Sequence, residues 1–177
     1  MSKPRIIGGT AKGRSLETPS SGTRPSPSRL REALFNILEF ESRGTFLDLY
    51  SGTGAIGLEA ASRGWDASCV ELSKAAVEVI RRNATNLKLK VKVVQADALK
   101  FAAQNPEAFD IVFAAAPYPL DLNAIFDAIL TAKPATTTGQ YIFQHPTHFA
   151  LELGIAIARS RAYGSNTLTF IEASALT

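Results

Sequence analysis

Beyond Gly44 the chain alternates between two hydrophobic periods. The runs "TFLDLY", "ASCVEL", "VKVVQA", "FDIVFA" and "QYIFQ" have the near-continuous or alternating apolar content of buried strands. Between them, "GAIGLEAASR", "SKAAVEVIRRNATNL", a shorter "ALKFAAQ" and "LDLNAIFDAILTA" repeat apolar residues at helical spacing. Gly64 stops the first of these helices, Ser73 caps the second, and Pro134 ends the last. Upstream, "SPSRLREALFNILEF" predicts another helix, with Ser26 as N-cap and Pro27 in its first position. Leu30, Leu34, Ile37 and Leu38 form its apolar stripe, and Arg29, Arg31 and Glu32 lie mostly off it. The end, "LELGIAIARSRAYGSNTLTFIEA", reads as two strands joined at "YGSN". This alternation predicts an α/β fold: a mostly parallel sheet covered by helices on both faces, with an antiparallel strand added last. Residues 1–25 precede it as an arm in which "RIIGGTAKGRSLETP" predicts a hairpin, turning near Gly8-Gly9 or Lys12-Gly13. Residues 26–177 are expected to form one domain.

Composition narrows the class without naming it. A chain of 177 residues, 46% hydrophobic and 20% charged, can bury a single sizeable core and is not a disordered sequence. Its one cysteine, Cys69, rules out an intramolecular disulfide. With no apolar run long enough to span a bilayer and no signal-peptide pattern at the start, the expectation is a cytoplasmic protein. Charge then separates arm from body. Residues 1–31 hold seven bases and one acid, while residues 32–177 hold 12 bases and 15 acids. A basic arm on a mildly acidic body fits a polyanionic partner, and Lys12, Arg14, Arg24, Arg29 and Arg31 are the candidate phosphate contacts. Charge alone fits a solvated tail equally well.

Candidate chemistry gathers in "LDLYSGTGAIGLEAA", where Gly52, Gly54 and Gly57 stand between the first sheet strand and its helix. Small residues there let a ligand approach the backbone and let helix pack closely on strand, a spacing shared by dinucleotide and other nucleoside sites. Three acids refine the reading. Glu71 ends the second strand, where a carboxylate accepts ribose hydroxyls. Asp48 precedes the glycines, where it would repel a pyrophosphate but suits a ligand with a cationic amino group. Asp97 ends the third strand, within reach of an adenine amine. Parallel strands deliver all three to one crevice.

These segments resemble the class I, S-adenosylmethionine-dependent methyltransferases and, within them, the RsmD-like family of 16S ribosomal RNA guanine-N2 methyltransferases. The resemblance covers nearly the whole chain and rests on "RIIGGTAKGRSLETP", "TRPSPSRLREALFNIL", "FLDLYSGTGAIGLEAASRG", "VEL", "QADA" and "FAAAPYPLD". It implies a Rossmann-like, seven-stranded sheet with a reversed last strand and S-adenosyl-L-methionine as cofactor. It places Asp48 and the Ser51-Gly52-Thr53-Gly54 loop near the methionine part, Glu71 on the ribose and Asp97 at the adenine, with Tyr50, Leu72 and Ala98 beside them. The implied partner is 16S rRNA or the small-subunit particle, the enzyme is expected to be a monomer, and the arm bases are expected to contact RNA.

One motif departs from the family. Its fourth strand usually ends in Asp-Pro-Pro-Tyr or Asn-Pro-Pro-Tyr; here the positions read Ala115-Ala116-Pro117-Tyr118. The usual side-chain oxygen aims the target amine and the aromatic ring stacks on the base, so an impaired transfer site beside an intact cofactor site is expected. Tyr118 remains the candidate stacking platform. The alternatives are an adenine-N6 methyltransferase of DNA or RNA, and a catalytically inactive protein that binds cofactor and RNA. An NAD-dependent dehydrogenase fits the glycines but leaves little chain for a substrate domain. His145 and His148 with Cys69 fall short of a zinc set, and both His145 and Cys69 read as structural.

Overall fold

In the computed structural model, residues 3–19, 27–117 and 120–176 are described. The chain forms α1 (Ser28–Ile37), β1 (Thr45–Leu49), α2 (Ala55–Ser62), β2 (Asp66–Glu71), α3 (Lys74–Asn86), β3 (Val91–Gln95) and α4 (Ala98–Gln104). It continues through β4 (Phe109–Ala114), α5 (Leu122–Ala132), β5 (Ala135–Pro146), β6 (Arg159–Tyr163) and β7 (Asn166–Glu172). A 3-10 turn, Ala173–Leu176, follows. The seven strands form one sheet in the order β3-β2-β1-β4-β5-β7-β6. Strands β1 to β5 are parallel, and β7 pairs antiparallel with both β5 and β6.

The near-continuous apolar strands follow from burial on both faces. On one face Leu30, Leu34 and Phe35 of α1 and Ile56 of α2 pack on Phe46, Phe113, Ile142 and Phe170. On the other, Leu122, Phe126 and Ile129 of α5 pack on Leu47, Val112, Tyr141 and Phe143. There the Phe126 and Phe143 rings stack at 4.2 Å.

Three expectations change in detail: the fifth strand, expected over 140–144, runs as β5 over Ala135–Pro146. Helix α1 begins one residue later than expected, with Pro27 in the cap position; Ser26 lies outside the described residues. The first strand of the terminal hairpin begins at Arg159, and residues 149–155 pair with no strand. Their alternation is nevertheless real. Phe149, Leu151, Leu153 and Ile155 are half-buried against the core, and Ala150, Glu152 and Gly154 face outward. The segment is an extended strap pinned to α5: Asn123 Nδ2 donates to the Ala150 carbonyl, and the Glu152 amide donates to Asn123 Oδ1. Period-two patterning reports alternating burial, and here burial comes without a ladder partner.

The arm, too, is more closely joined to the body than its composition suggested. An antiparallel bridge, Arg5 to Ser15, closes a short hairpin, with Gly9 and Gly13 at positive φ. Its Ile6, Ala11 and Leu16 are buried against Ala55, Leu58 and Ile80. Amides of Ile7 and Gly8 donate to the two Glu59 oxygens, at 2.9 Å each, and the Ala11 amide donates to Ser62 Oγ. Glu17 and Asn83 exchange a reciprocal pair of hydrogen bonds.

Candidate functional site

Strands β1, β2 and β3 all point their C-terminal ends at the loop between β1 and α2. Tyr50 turns the chain there with φ at 59°, a left-handed value that is costly outside glycine. Gly54, with φ at 79°, starts α2. Gly57 lies against the sheet: a Cβ there would collide with Cys69 Sγ and come within 3.2 Å of Asp48 Oδ2. This fixes α2 directly over β1 and β2, and it seals Cys69 completely.

The loop's amides are largely committed to protein acceptors. Gly52 N–H donates to Glu71 Oε1 and Ser73 N–H to Glu71 Oε2, both at 2.8 Å. Gly57 N–H donates to Asp48 Oδ2 at 3.0 Å, and Gly54 N–H to the Ser51 carbonyl. Glu71 is thus gripped at the rim with lone pairs to spare, half-exposed. Asp48 lies deeper, at 2% exposure. Burial pushes its carboxyl up to about 7; the Gly57 amide opposes that shift and the nearby Glu71 charge adds to it.

Asp97 is exposed and caps α4, accepting the Lys100 amide at 3.0 Å. Tyr50 is half-buried near it, and burial, then the Asp97 charge, raises its phenol pKa. Ser51 and Thr53 are buried, Ala98 is buried behind Asp97, and Leu72 stands out from the rim at 65% exposure. The expected cofactor residues therefore share one end of the sheet. Asp48 is set behind the loop, with a backbone amide already on one of its oxygens.

The candidate transfer motif joins them through the β1–β4 pairing, in which Ala114 lies opposite Leu49. Ala115 and Ala116 are half-buried immediately beyond it and Pro117 is exposed. Tyr118 and Arg24 lie outside the described residues.

The arm bases lie elsewhere. Arg14 Nη2 donates to the Asn86 carbonyl at the far end of α3, and the Thr10 amide donates to the Ser62 carbonyl at the far end of α2. Lys12 and Arg14, both exposed, therefore sit at the opposite end of the sheet from Ala115, while Arg29 is exposed on α1. Arg31 overturns its assignment as a phosphate contact. It is 1% exposed, its Nε stands 3.4 Å from Glu59 Oε1, and its Nη2 donates to the Arg5 carbonyl at 2.6 Å. Position 31 lies one turn from Leu34 and Phe35, on the buried face, and the carboxylate opposite it makes that burial tolerable.

His145 is structural as expected: Nε2 lies 2.8 Å from Thr169 Oγ1, the ring is buried, and burial lowers its pKa. Sequence reasoning passed over the lysines of "KLKVK", residues 88–92. Their alternation with Leu89 and Val91 is visible, but the strand expected there starts only at Val91.

Sheet order, reversed β7 and a glycine loop framed by strand-end carboxylates define a Rossmann-like class I methyltransferase fold. Residues 4–172 match the family described as Conserved hypothetical protein 95. The chain belongs to this family, that of the RsmD-like methyltransferases. It is 33% identical over 173 residues to a Bacillus subtilis protein named putative rRNA methyltransferase YlbH, covering 90% of this chain and 94% of that one. It is 40% identical over 118 residues to Escherichia coli ribosomal RNA small subunit methyltransferase D, a match that spans 64% of this chain and 60% of that relative's length. A solved structure of a Thermus thermophilus hypothetical protein, TTHA0928, is 41% identical, with a TM-score of 0.86 over 96% of this chain and 99% of that one.

Proposed function

We propose that the chain binds S-adenosylmethionine at the C-terminal ends of β1, β2 and β3 and belongs to the methylation of a guanine N2 amine in 16S rRNA of the small ribosomal subunit, with its own transfer step impaired. The observation that carries the cofactor reading is where the glycine-loop amides point. In a dinucleotide site such amides face a pyrophosphate. Here Gly52 and Gly57 donate to Glu71 and Asp48, so an anionic group would meet two carboxylates instead of free donors. A cofactor with a sulfonium and an ammonium group fits that field. Glu71, steadied by two amides, retains acceptor capacity for ribose hydroxyls, and Asp97 and Leu72 stand exposed beside it. The substrate class follows the family and the names of its relatives, and the guanine N2 position follows the resemblance of the opening segments.

The cofactor supplies an electrophilic methyl group. The protein's part is to hold the target nitrogen in line with it, because an aryl amine's lone pair is delocalised and weakly nucleophilic. Ala115 can offer its backbone carbonyl but no side-chain acceptor, and Ala116 leaves the backbone freer than proline would. Loss of one preorganised hydrogen bond commonly costs about 10² to 10³ in rate.

Calorimetry with S-adenosylmethionine, paired with methyl incorporation into small-subunit particles, tests the reading. Tight cofactor binding, slow transfer, and a gain of about 10² or more in Ala115→Asp/Ala116→Pro are expected. Fast transfer by the unaltered chain with no gain in the double variant would refute the impairment. Transfer to adenine in preference to guanine would refute the substrate. The alanines also favour a second reading, a cofactor- and RNA-binding protein without turnover, which predicts no transfer even in the double variant.

A further inference from the structure

At the end of the sheet remote from Ala115, the N-terminal ends of β2 and β3 border a cleft of about 610 Å³. Lys88, Lys90 and Lys92 line it together with Thr10 of the arm, and Asp66 is the one acid among its lining residues. All three lysines are exposed, and none forms an ion pair among the described residues. Across the arm hairpin lies a second cleft, of about 490 Å³, lined by Lys3 and Arg14; its acid, Glu17, is ion-paired with Arg82 at 3.3 Å. The arm hairpin thus runs between two basic hollows that together hold one uncommitted acid.

We propose that this lysine-lined cleft and the arm beside it form a second phosphate-binding surface, which grips the RNA backbone at the pole opposite the transfer motif. The proposal rests on the RNA-directed function above and adds where else the RNA is held. Helix α3, 13 residues long, runs from the cofactor end at Ser73 to the cleft end at Asn86, a span of roughly 20 Å. An RNA touching both ends must therefore reach along the molecule, so a short oligonucleotide cannot engage both. That separates recognition of an extended or folded RNA from recognition of the target nucleotide alone, because phosphate contacts position and carry no sequence information. Lysines at and just before the start of the edge strand β3, Lys92 within it and Lys88 and Lys90 ahead of it, also deter edge-to-edge pairing. That role alone predicts a change in oligomeric state on their removal, not in RNA affinity.

The test is fluorescence anisotropy over a salt series with an extended rRNA stem-loop and with a guanosine trinucleotide. The full chain is compared with Lys88→Gln/Lys90→Gln/Lys92→Gln, and calorimetry with S-adenosylmethionine reports whether the fold and cofactor site survive. We expect unchanged cofactor binding, weaker stem-loop binding, and a salt slope (log K against log salt) smaller by roughly two to three. Trinucleotide binding should be unchanged. Equal slopes for the two proteins on the stem-loop would overturn the cleft while leaving the RNA function standing. No stem-loop binding by the unaltered chain would overturn both. Self-association of the variant with RNA affinity intact would assign the lysines to edge protection, and capture of an acidic protein with RNA affinity intact would assign them to a protein partner; either result overturns the proposal.

Discussion

The two ends of the sheet use charge in opposite ways. At the C-terminal end, Glu71 and Asp48 turn inward and spend oxygens on the amides of Gly52, Ser73 and Gly57. At the N-terminal end, Lys12, Lys88, Lys90 and Lys92 face solvent. The first arrangement is rigid and locally negative, suited to a small cationic ligand; the second is loose and positive, suited to a flexible polyanion. Net charge, only +3 for the chain, therefore says little about either site. Helix α2 joins the two: it begins at the glycine loop and ends at Ser62, which holds the arm.

The most damaging change should be one that cuts this joint. Glu59, fully buried, accepts from two arm amides and pairs with Arg31 and Arg63. Glu59→Ala leaves the Arg31 guanidinium buried without that partner, and losses of this kind cost about 3–5 kcal/mol. Urea unfolding should show it, and if stability falls by less than a third of that, the arm is not fastened through Glu59. Next in size is Gly57→Val, which forces α2 off Cys69 and Asp48. Overpacking of this kind costs roughly 1–3 kcal/mol, and cofactor affinity should fall with it. A thermal shift as small as that of an exposed-site control would show that the helix can yield.

Glu71→Gln tests whether the poles are independent. It turns an amide donor toward the loop's own N–H groups, and leaving one such donor unsatisfied costs about 1–3 kcal/mol. We expect cofactor affinity to drop at least tenfold while RNA affinity holds, and parallel losses in both would mean that the two ends are not separate sites. The last effect is a dependence on pH. Asp48 binds its proton more tightly in the folded protein, up to about 7, than when unfolded, near the ordinary value of about 4. The folded state therefore carries the extra proton in that window, and stability should decline as pH rises from about 4 to 7. Cofactor binding should strengthen over the upper part of the window, as the carboxylate ionises. Asp48→Asn should flatten both trends, and an unchanged pH profile would place the titration on another group.

Much of this was legible in the sequence because it depends on short-range pattern. The runs 45–50, 67–72, 91–96 and 109–114 hold strands β1 to β4 to within one residue at each end, and the order of strand and helix fixed which ends carry the acids. What escaped depends on neighbours far along the chain. Arg31 looks like surface until Glu59, 28 residues on, is placed against it. Leu151 and Leu153 look like a strand until no partner strand arrives. That Gly57 takes one oxygen of Asp48, and that burial raises its pKa, shows only once α2 is seated on β1. Lys12 and Arg14 look like phosphate contacts of unspecified place until α2 and α3 carry the arm to the far pole.

The tight seat of Gly57 on β2 has a practical consequence. The only thiol in the chain lies directly beneath it, sealed from solvent, and burial keeps that thiol protonated. Alkylation of Cys69 therefore requires α2 to lift from the sheet. The labelling rate is a clock for that opening, readable without introducing any probe, and it should slow when a ligand clamps the glycine loop.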